Sequence, residues 1–235
     1  MIRGSFLPNK VGVRYNVKVP MRDGIKLSSD IYFPRDDSGP WPVILLRTPY
    51  DNMTENLVSE GIFYAQHGYV YVAQDVRGRH DSDGQFYPWV NEFNDGHDTI
   101  EWLGLQTWCN NYIGMVGSSY AGNVQWQAAS GGSSFLQTII PRVIGHNLHE
   151  APHYQGGAFQ LGWTTTWSYR TDGRSAQSID NHNWPYIFGT LPLHDLDKAG
   201  GKSISYLHDW ISHPDYDDYW KALSIENQYE DINIP

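Results

Sequence analysis

Residues 113–130 read IGMVGSSYAGNVQWQAAS: an apolar run, two serines between glycines, and a stretch of helical character. The pattern predicts a β-strand that passes directly into an α-helix. A serine at such a corner is exposed for chemistry only where its neighbours are small, because the strand and the helix cross closely there. Ser118 has Val116 two residues before it and Tyr120 two residues after it, which are too bulky.

Ser119 meets the requirement for small neighbours. Gly117 lies two residues before it, and Ala121 and Gly122 lie two and three residues after it. The spacing is that of the nucleophile elbow of α/β-hydrolases, with Ser119 as the candidate nucleophile and the two glycines as structural residues. The N-terminal N–H groups of the following helix favour negative charge, so the N–H of Tyr120 is a candidate oxyanion donor. An ordinary strand–helix turn without catalysis is the alternative interpretation.

The segments around this corner predict an α/β fold with a mostly parallel sheet. The first third predicts a hairpin, VRYNVKVP and RDGIKLSSDIYFP, with its turn at Asp23–Gly24. Alternating strands and helices follow: WPVILLRTPY, LVSEGIFYAQHG with Gly68 as its stop, YVYVAQDVRG, NDGHDTIEWLGLQTW with Asn94 or Asp95 as its cap, and LQTIIPRVIG.

Composition excludes several classes of function. The chain has 235 residues and a formal charge of −10, and its lysines and arginines form no cluster, which argues against binding to nucleic acid. The single cysteine, Cys109, excludes an internal disulfide and a thiolate metal site. No signal peptide or membrane span is evident, so we expect a cytoplasmic protein without a membrane partner. We expect no metal and no other cofactor.

The sequence divides into three parts. Residues 1–146 are expected to form the N-terminal part of an α/β-hydrolase domain, and residues 226–235, ending in INIP, the start of the next sheet strand. Residues 147–225 are rich in Trp, Tyr, His, Gly and Pro, which predicts a mainly helical cap inserted over the sheet. The ten Trp and sixteen Tyr of the whole chain indicate a bulky core plus an aromatic-lined cleft, and a platform for carbohydrate is the alternative.

Several tracts together resemble the cocaine-esterase-like (CocE/NonD) serine hydrolases, which are related to the X-prolyl dipeptidyl peptidases and to some cephalosporin acylases. These tracts are VPMRDGIKLSSDIYFP, LLRTPYDN, HPDYDDYWKALS and the long run from AQDVRGRHDSDGQFYPWV to GSSYAGNVQWQAA. The family's elbow reads G-x-S-Y-x-G, with a tyrosine after the nucleophile as in this chain. The resemblance implies hydrolysis of a small-molecule ester or amide through an acyl-enzyme on Ser119.

The resemblance also implies a second oxyanion donor. Family members carry a tyrosine in an R-x-P-Y-D loop, which matches Tyr50, so its phenol would act beside the N–H of Tyr120. From the sequence alone Tyr50 is a residue of a turn, where packing is the ordinary role. In DVRGRHDSDG the family usually has glycine where this chain has His80, and the charges of this segment are expected to brace the loop as structural residues (Asp75, Arg77 and Arg79).

Substrate selection is assigned to the cap. The candidate substrate contacts are Tyr154, Phe159, Trp163, Trp167 and His149, with packing inside the cap as the equal alternative for the aromatic ones.

Residues 149–153, HEAPH, match the zinc signature H-E-x-x-H, and His146 precedes them. That signature requires both histidines on one face of a helix. Pro152 lacks an N–H and obstructs the preceding turn, so a helix with His149 inside cannot run through it. We therefore expect no zinc site. Instead, we expect His149, Glu150 and His153 to line the roof of the cleft.

A serine nucleophile needs a histidine base and an orienting carboxylate, which follow the serine in this fold. No residue matches the family's Asp or His, and His182, His194, His208 and His213 are interpreted as cap or surface residues. The chain is expected to be the N-terminal part of a longer enzyme, without the rest of the sheet and the family's C-terminal β-sandwich. Alone it would self-associate or need a completing segment. The alternative is an inactive truncated form that acts as a structural or interaction module.

Overall fold

Seven strands between Phe6 and Arg142 form a mixed sheet. The computed structural model describes residues 6–7, 11–35, 39–145 and 147–235. The sheet order is β1-β2-β3-β5-β4-β6-β7. The strands are β1 (Phe6–Leu7), β2 (Val11–Pro20), β3 (Lys26–Pro34), β4 (Trp41–Thr48), β5 (Val70–Asp75), β6 (Cys109–Ser118) and β7 (Leu136–Arg142).

The two halves of the sheet run in different senses. β2 and β3 form the predicted antiparallel hairpin, and Gly24 adopts a φ of 86° at its turn. β3 pairs antiparallel with β5, after which β5, β4, β6 and β7 are all parallel. Because parallel strands present their carboxyl ends at one edge, the loops after β4, β5 and β6 open on the same side of the sheet.

Three helices connect the parallel strands: α1 (Glu55–Gln66), α2 (Glu92–Gly104) and α3 (Tyr120–Ala129). The predicted stop of α1 is confirmed, since Gly68 follows it with a φ of 84°. The predicted cap of α2 is wrong. That helix begins at Glu92, so Asn94 and Asp95 lie inside its first turn. Asp95 forms an ion pair with Arg77, which is distant in the sequence. This tertiary contact outweighs the local preference of aspartate for a helix cap.

The core of this part of the chain lies between the sheet and its helices. One buried cluster joins the inner faces of the central strands to α2 and α3, with Val43, Leu45, Val72, Ile100 and Met115 among its fully buried members. Gly96 of α2 lies so close to α3 that a Cβ there would be 2.6 Å from the Cβ of Ala128. This close contact packs α3 against α2.

The chain divides into two compact units. Residues 1–144 and 228–235 form the first, and residues 145–227 form the second. In the first unit, Pro235 accepts a hydrogen bond from the N–H of Ile139 at 3.0 Å, although residues 232–235 form no regular strand.

The second unit consists of short helices around buried aromatic side chains. Its helices are α4 (Leu161–Thr171), α5 (Trp184–Phe188), α6 (Leu196–Ala199), α7 (Ser205–Ser212) and α8 (Asp218–Leu223). Trp210, Trp220 and Tyr169 are fully buried. Within the part of the chain that the structure describes, no helix combines the length and the hydrophobicity needed to span a bilayer.

Candidate active site

Ser119 occupies the corner between β6 and α3. Its backbone has φ 58° and ψ −125°, a combination that non-glycine residues rarely adopt and that costs on the order of 1–3 kcal/mol. The residue is exposed, whereas Tyr120 and Gly117 on either side of the corner are buried. The strained backbone therefore turns a serine outward at the carboxyl end of a central strand.

The two glycines of the corner stand where no side chain fits. Gly117 has a φ of 148°, and a Cβ there would lie 2.6 Å from the carbonyl oxygen of Ala121. At Gly122 a Cβ would lie 2.4 Å from Cγ2 of Ile144 and 2.8 Å from the carbonyl oxygen of Arg142. Both contacts are shorter than van der Waals distance, so the close crossing of strand and helix depends on these two positions.

Backbone hydrogen bonds hold Ser119 from both sides. Its N–H donates to the carbonyl oxygen of Arg142 at the end of β7, at 2.9 Å. Its own carbonyl oxygen accepts from the N–H groups of Gly122 and Asn123 at 2.8 and 3.0 Å, which opens α3. The N–H groups of a helix's first turn point out of its N-terminal end, and Tyr120 is the first residue of α3. This end of the helix favours negative charge beside Ser119.

The loop that carries Tyr50 is held by the last residue of β5 and by the segment that follows β5. Asp75 accepts the N–H of Asn52 at 2.9 Å, and Nε of Arg79 donates to the carbonyl oxygen of Pro49 at 2.8 Å. Burial raises the pKa of Asp75 to about 8. The prediction that these charges brace the loop is confirmed for Asp75 and Arg79, which are both buried.

Arg77 and His80 of the same segment have different partners. Arg77 pairs with Asp95 of α2 and with Asp23 of the hairpin turn, at 2.6 Å each. His80 places Nδ1 3.9 Å from a carboxylate oxygen of Asp51, and burial lowers its pKa. Arg77 thus ties α2 to the hairpin, while His80 lies against the loop of Tyr50.

A buried polar network holds the side chain of Tyr120, and it was not predicted from the sequence. The phenol donates to Oε1 of Glu92 at 2.9 Å and accepts from the N–H of Trp89 at 3.0 Å. Oε2 of Glu92 lies 2.7 Å from Nη1 of Arg47. The only sequence signals were an arginine within an apolar strand and a glutamate at a helix start.

The tyrosines of the two predicted oxyanion donors are in contact. The ring of Tyr50 meets the ring of Tyr120 edge-on, with centroids 6.5 Å apart, and the indole of Trp89 stacks on Tyr120 at 5.3 Å. Burial, reinforced by Glu92, raises the pKa of Tyr120 well above its ordinary value, so its phenol stays protonated and can donate. The structure therefore brings Ser119, Tyr120 and the loop of Tyr50 to one end of the sheet.

Comparison with known proteins accords with this arrangement. Residues 23–235 match the family described as X-Pro dipeptidyl-peptidase (S15 family). The chain belongs to this family. It is 36% identical, over its whole length, to a cocaine esterase of Rhodococcus sp. (strain MB1 Bresler), and it spans 44% of that protein. The predicted resemblance to the cocaine-esterase-like hydrolases is thereby confirmed.

Solved structures of two hydrolases share the fold of this chain. An α-amino acid ester hydrolase superposes with a TM-score of 0.74 at 26% identity, covering 95% of this chain and 41% of that one. A CocE/NonD family hydrolase from Staphylococcus aureus gives a TM-score of 0.74 at 23% identity, covering 96% and 40%. The predicted α/β-hydrolase fold class is confirmed. The chain spans less than half the length of each of these relatives.

The predicted substrate contacts all lie in the second unit of this S15-family chain. Tyr154 is buried and donates its phenol to the carbonyl oxygen of Trp210 at 2.9 Å, and Phe159 packs against it at 5.3 Å. Trp163 is 43% exposed and stacks on the half-buried Trp167 at 6.0 Å. Tyr154 and Phe159 thus pack within this unit, and a role for the set in binding substrate stays a prediction.

The HEAPH segment forms a broken helical turn over His149–His153, in which Ala151 is extended with φ −135° and ψ 104°. Nε2 of His149 lies 2.8 Å from the carbonyl oxygen of Pro214. His153 is fully buried against the indoles of Trp210 and Trp220, at 4.1 and 5.3 Å. Among the described residues, which do not include His146, no group of His, Cys, Asp or Glu side chains is arranged to hold a metal.

Among the described residues of the second unit, two histidines lie close to aspartates. Nε2 of His208 lies 2.7 Å from Oδ2 of Asp197, and Nδ1 of His213 lies 2.5 Å from Oδ2 of Asp217. Asp197 also accepts the N–H groups of Lys198 and Ile204, and Asp217 accepts that of Tyr219 at the start of α8. Both carboxylates therefore serve the local backbone, which gives each pair a structural role in the unit.

Proposed function

We propose that this chain carries the nucleophile and the oxyanion hole of a serine acyl hydrolase that cleaves a small-molecule ester or amide. The observation that carries the proposal is the strained, exposed Ser119 at φ 58° and ψ −125°, set between a central strand and the start of α3. Strain at an exposed residue is retained where the surrounding structure enforces it, and two crowded glycines enforce it here.

In the proposed reaction, Oγ of Ser119 attacks the acyl carbonyl carbon and gives up its proton to a base. The carbonyl oxygen becomes an alkoxide, which the N–H of Tyr120 and the phenol of Tyr50 stabilise. When this intermediate collapses, the bond to the leaving oxygen or nitrogen breaks, that atom takes the proton from the base, and the neutral alcohol or amine departs while the acyl group stays on Ser119. Water then hydrolyses the acyl-enzyme, releases the acid and restores the hydroxyl.

The relatives favour an ester as the substrate, since their names are those of a cocaine esterase and an α-amino acid ester hydrolase. The proposal assigns the base to none of the described histidines. The pairs at His208 and His213 are explained by their bonds to α6–α8, so substitution of either by alanine should leave the chemistry at Ser119 intact. Turnover abolished by one of these substitutions would give that histidine the role of base.

Covalent labelling with a fluorophosphonate probe tests the proposal. The protein encoded by the gene should be labelled, Ser119→Ala should lose the label, and Ser118→Ala should keep it, because only Ser119 lies at the strained corner. Loss of Ser119 should lower ester turnover by about 10⁶-fold. Labelling that survives Ser119→Ala and disappears in Ser118→Ala would overturn the assignment. A folded parent protein that takes no label would favour a structural or interaction module.

A further inference from the structure

The side chain of Tyr120 is held by groups from three other segments. Its phenol donates to Glu92 of α2 and accepts from the N–H of Trp89 in the preceding loop, at 2.9 and 3.0 Å. Its ring stacks on Trp89 and touches the edge of Tyr50. The side chain is only 2% exposed, so few orientations are open to it. The residue that follows the nucleophile is therefore fixed at both ends, by its backbone in α3 and by its hydroxyl.

The anchor of this phenol is a buried ion pair. Glu92 and Arg47 approach to 2.7 Å with side chains that are 3% and 0% exposed. Arg47 is itself directed by Gln74 of β5, whose Oε1 accepts from Nε of Arg47 at 2.7 Å. Buried ion pairs add little stability compared with apolar side chains of similar size, because removing two charges from water is costly. What the pair does supply is a carboxylate of fixed position for the phenol of Tyr120.

We propose that Glu92 and Arg47 are positioning residues for acyl transfer at Ser119, acting through the side chain of Tyr120. The inference rests on the proposed function. Tyr120 is joined to Ser119 by one peptide bond, and the N–H of that peptide is the proposed oxyanion donor. An anchored side chain limits how far this peptide can tilt.

The same ring touches Tyr50, which carries the other proposed donor. Arg47 also lies on β4, the strand that leads into the loop of Tyr50. One buried network thus sets the spacing of both donors. Oxyanion donors act only when they are placed before the charge develops, and small displacements weaken them steeply.

The matched pair of variants is Tyr120→Phe and Tyr71→Phe. Each removes one phenol oxygen from a buried tyrosine that donates to a glutamate, since Tyr71 donates to Oε2 of Glu60 at 3.0 Å. Tyr71 makes that bond to α1 and has no part in the network of Glu92 and Arg47. A second pair, Glu92→Gln and Glu92→Leu, keeps or removes an oxygen that can accept from the phenol.

The measured quantities are the maximal rate constant of fluorophosphonate labelling and the acylation rate constant in the burst of a nitrophenyl ester. Both are first-order constants, so a partly unfolded sample lowers the amplitude and leaves the constant unchanged. Apparent affinities for probe and ester are obtained from the same curves. Rate and affinity together separate a loss of positioning from a loss of folded protein.

Tyr120→Phe should lower both rate constants by about tenfold to a hundredfold. The apparent affinities should change by less than about twofold, because ground-state binding is unaffected. Tyr71→Phe should react at the parental rate, and Glu92→Gln should be faster than Glu92→Leu. Parental rate constants in Tyr120→Phe, or equal losses in Tyr120→Phe and Tyr71→Phe, would overturn the proposal. Failure of Tyr120→Phe and both Glu92 variants to fold would also overturn it, since the network would then serve folding.

The proposed function and this inference fail in different ways. If the parent protein is not labelled at Ser119, the proposed function is wrong and the network has nothing to position. If the parent is labelled at Ser119 and Tyr120→Phe is labelled at the same rate, the hydrolase proposal stands and only the positioning role is wrong.

Discussion

Two short segments of this chain match catalytic signatures, and the structure places them in opposite settings. Residues 117–122 form a tight strand-to-helix corner in which Ser119 is exposed under backbone strain. Residues 149–153 form a helical turn that is broken at Ala151, with His153 fully buried among indoles. Both segments match their motifs residue by residue, so the sequence alone does not tell which of them is functional. The backbone does, because it turns one functional group outward and buries the other.

The difference lies in what surrounds the polar group. At the corner, glycines and backbone hydrogen bonds hold the strained conformation of Ser119, and a buried ion pair anchors its neighbour Tyr120. In the second segment, aromatic rings enclose His153, and its Nδ1 lies 3.3 Å from the hydroxyl of Thr164. Polar surroundings that fix a reactive geometry indicate chemistry, whereas aromatic surroundings that remove a charge indicate packing.

The largest loss of stability is expected from Gly117→Ala, which changes the strand-to-helix corner itself. The added Cβ would lie 2.6 Å from the carbonyl oxygen of Ala121, at a φ of 148° that alanine avoids. Overpacking and backbone strain together should lower the free energy of unfolding by about 4 kcal/mol. Labelling of Ser119 should slow by about a hundredfold as the corner opens. Urea denaturation and fluorophosphonate kinetics measure the two effects.

Gly132→Ala is the matched control for this prediction. Gly132 also has a positive φ, 67°, but no atom lies within 4 Å of the position that a Cβ would take. Gly132→Ala should lower the free energy of unfolding only by the cost of a left-handed alanine, about 1–2 kcal/mol, and it should keep the parental labelling rate. Equal losses of stability in the two variants would show that crowding at the corner is not what requires glycine at position 117.

A smaller loss of stability is expected on acidification, and it arises from the buried side chain of His153. Burial lowers the pKa of His153 to about 3, whereas in the unfolded chain it titrates near 6.5. Between these values the unfolded state binds a proton that the folded state does not, so stability rises with pH and falls on acidification. Acidification from pH 6.5 to pH 4.5 should therefore cost about 2.3 kcal/mol through this side chain alone.

The measurement is chemical denaturation at the two pH values, followed by tryptophan fluorescence, in the parent and in His153→Gln. Glutamine does not titrate, so the difference between the two proteins isolates His153 from other groups. Asp30, whose pKa burial raises to about 6, titrates in the opposite sense and cancels in that difference. An unchanged pH dependence in His153→Gln would mean that the ring is accessible to protons in the folded state.

The sequence allowed the corner to be predicted because its determinants are local. An apolar run, a turn of small residues and a stretch of helical character lie within residues 113–130, and the structure has β6, Ser119 and α3 in that order. The order of strands and helices in the first unit was likewise predictable from periodicity and from stops such as Gly68. Local propensity and the tertiary structure agree at these places.

The parts that were missed depend on contacts between distant segments. The start of α2 was placed too late because Asn94 and Asp95 have the preferences of caps, while the pairing of Asp95 with Arg77 is invisible in the local sequence. The ion pair of Arg47 and Glu92 joins β4 to α2, and two elements lie between them in the chain. An arginine in an apolar strand and a glutamate at a helix start do not by themselves identify each other as partners. Only the fold brings them together beneath Tyr120.

The smallest expected effect is on zinc content, and it tests residues 149–153, the segment that matches the zinc signature. After incubation with zinc and desalting, elemental analysis should find well below one zinc ion per chain. Ala151 breaks the helical turn, and Nε2 of His149 already contacts the carbonyl oxygen of Pro214. His153 could ligate only by leaving its place against Trp210, at 4.1 Å. His149→Ala should therefore leave the trace of zinc unchanged. Zinc at one ion per chain that disappears in His149→Ala would show that the motif binds metal in spite of its broken turn.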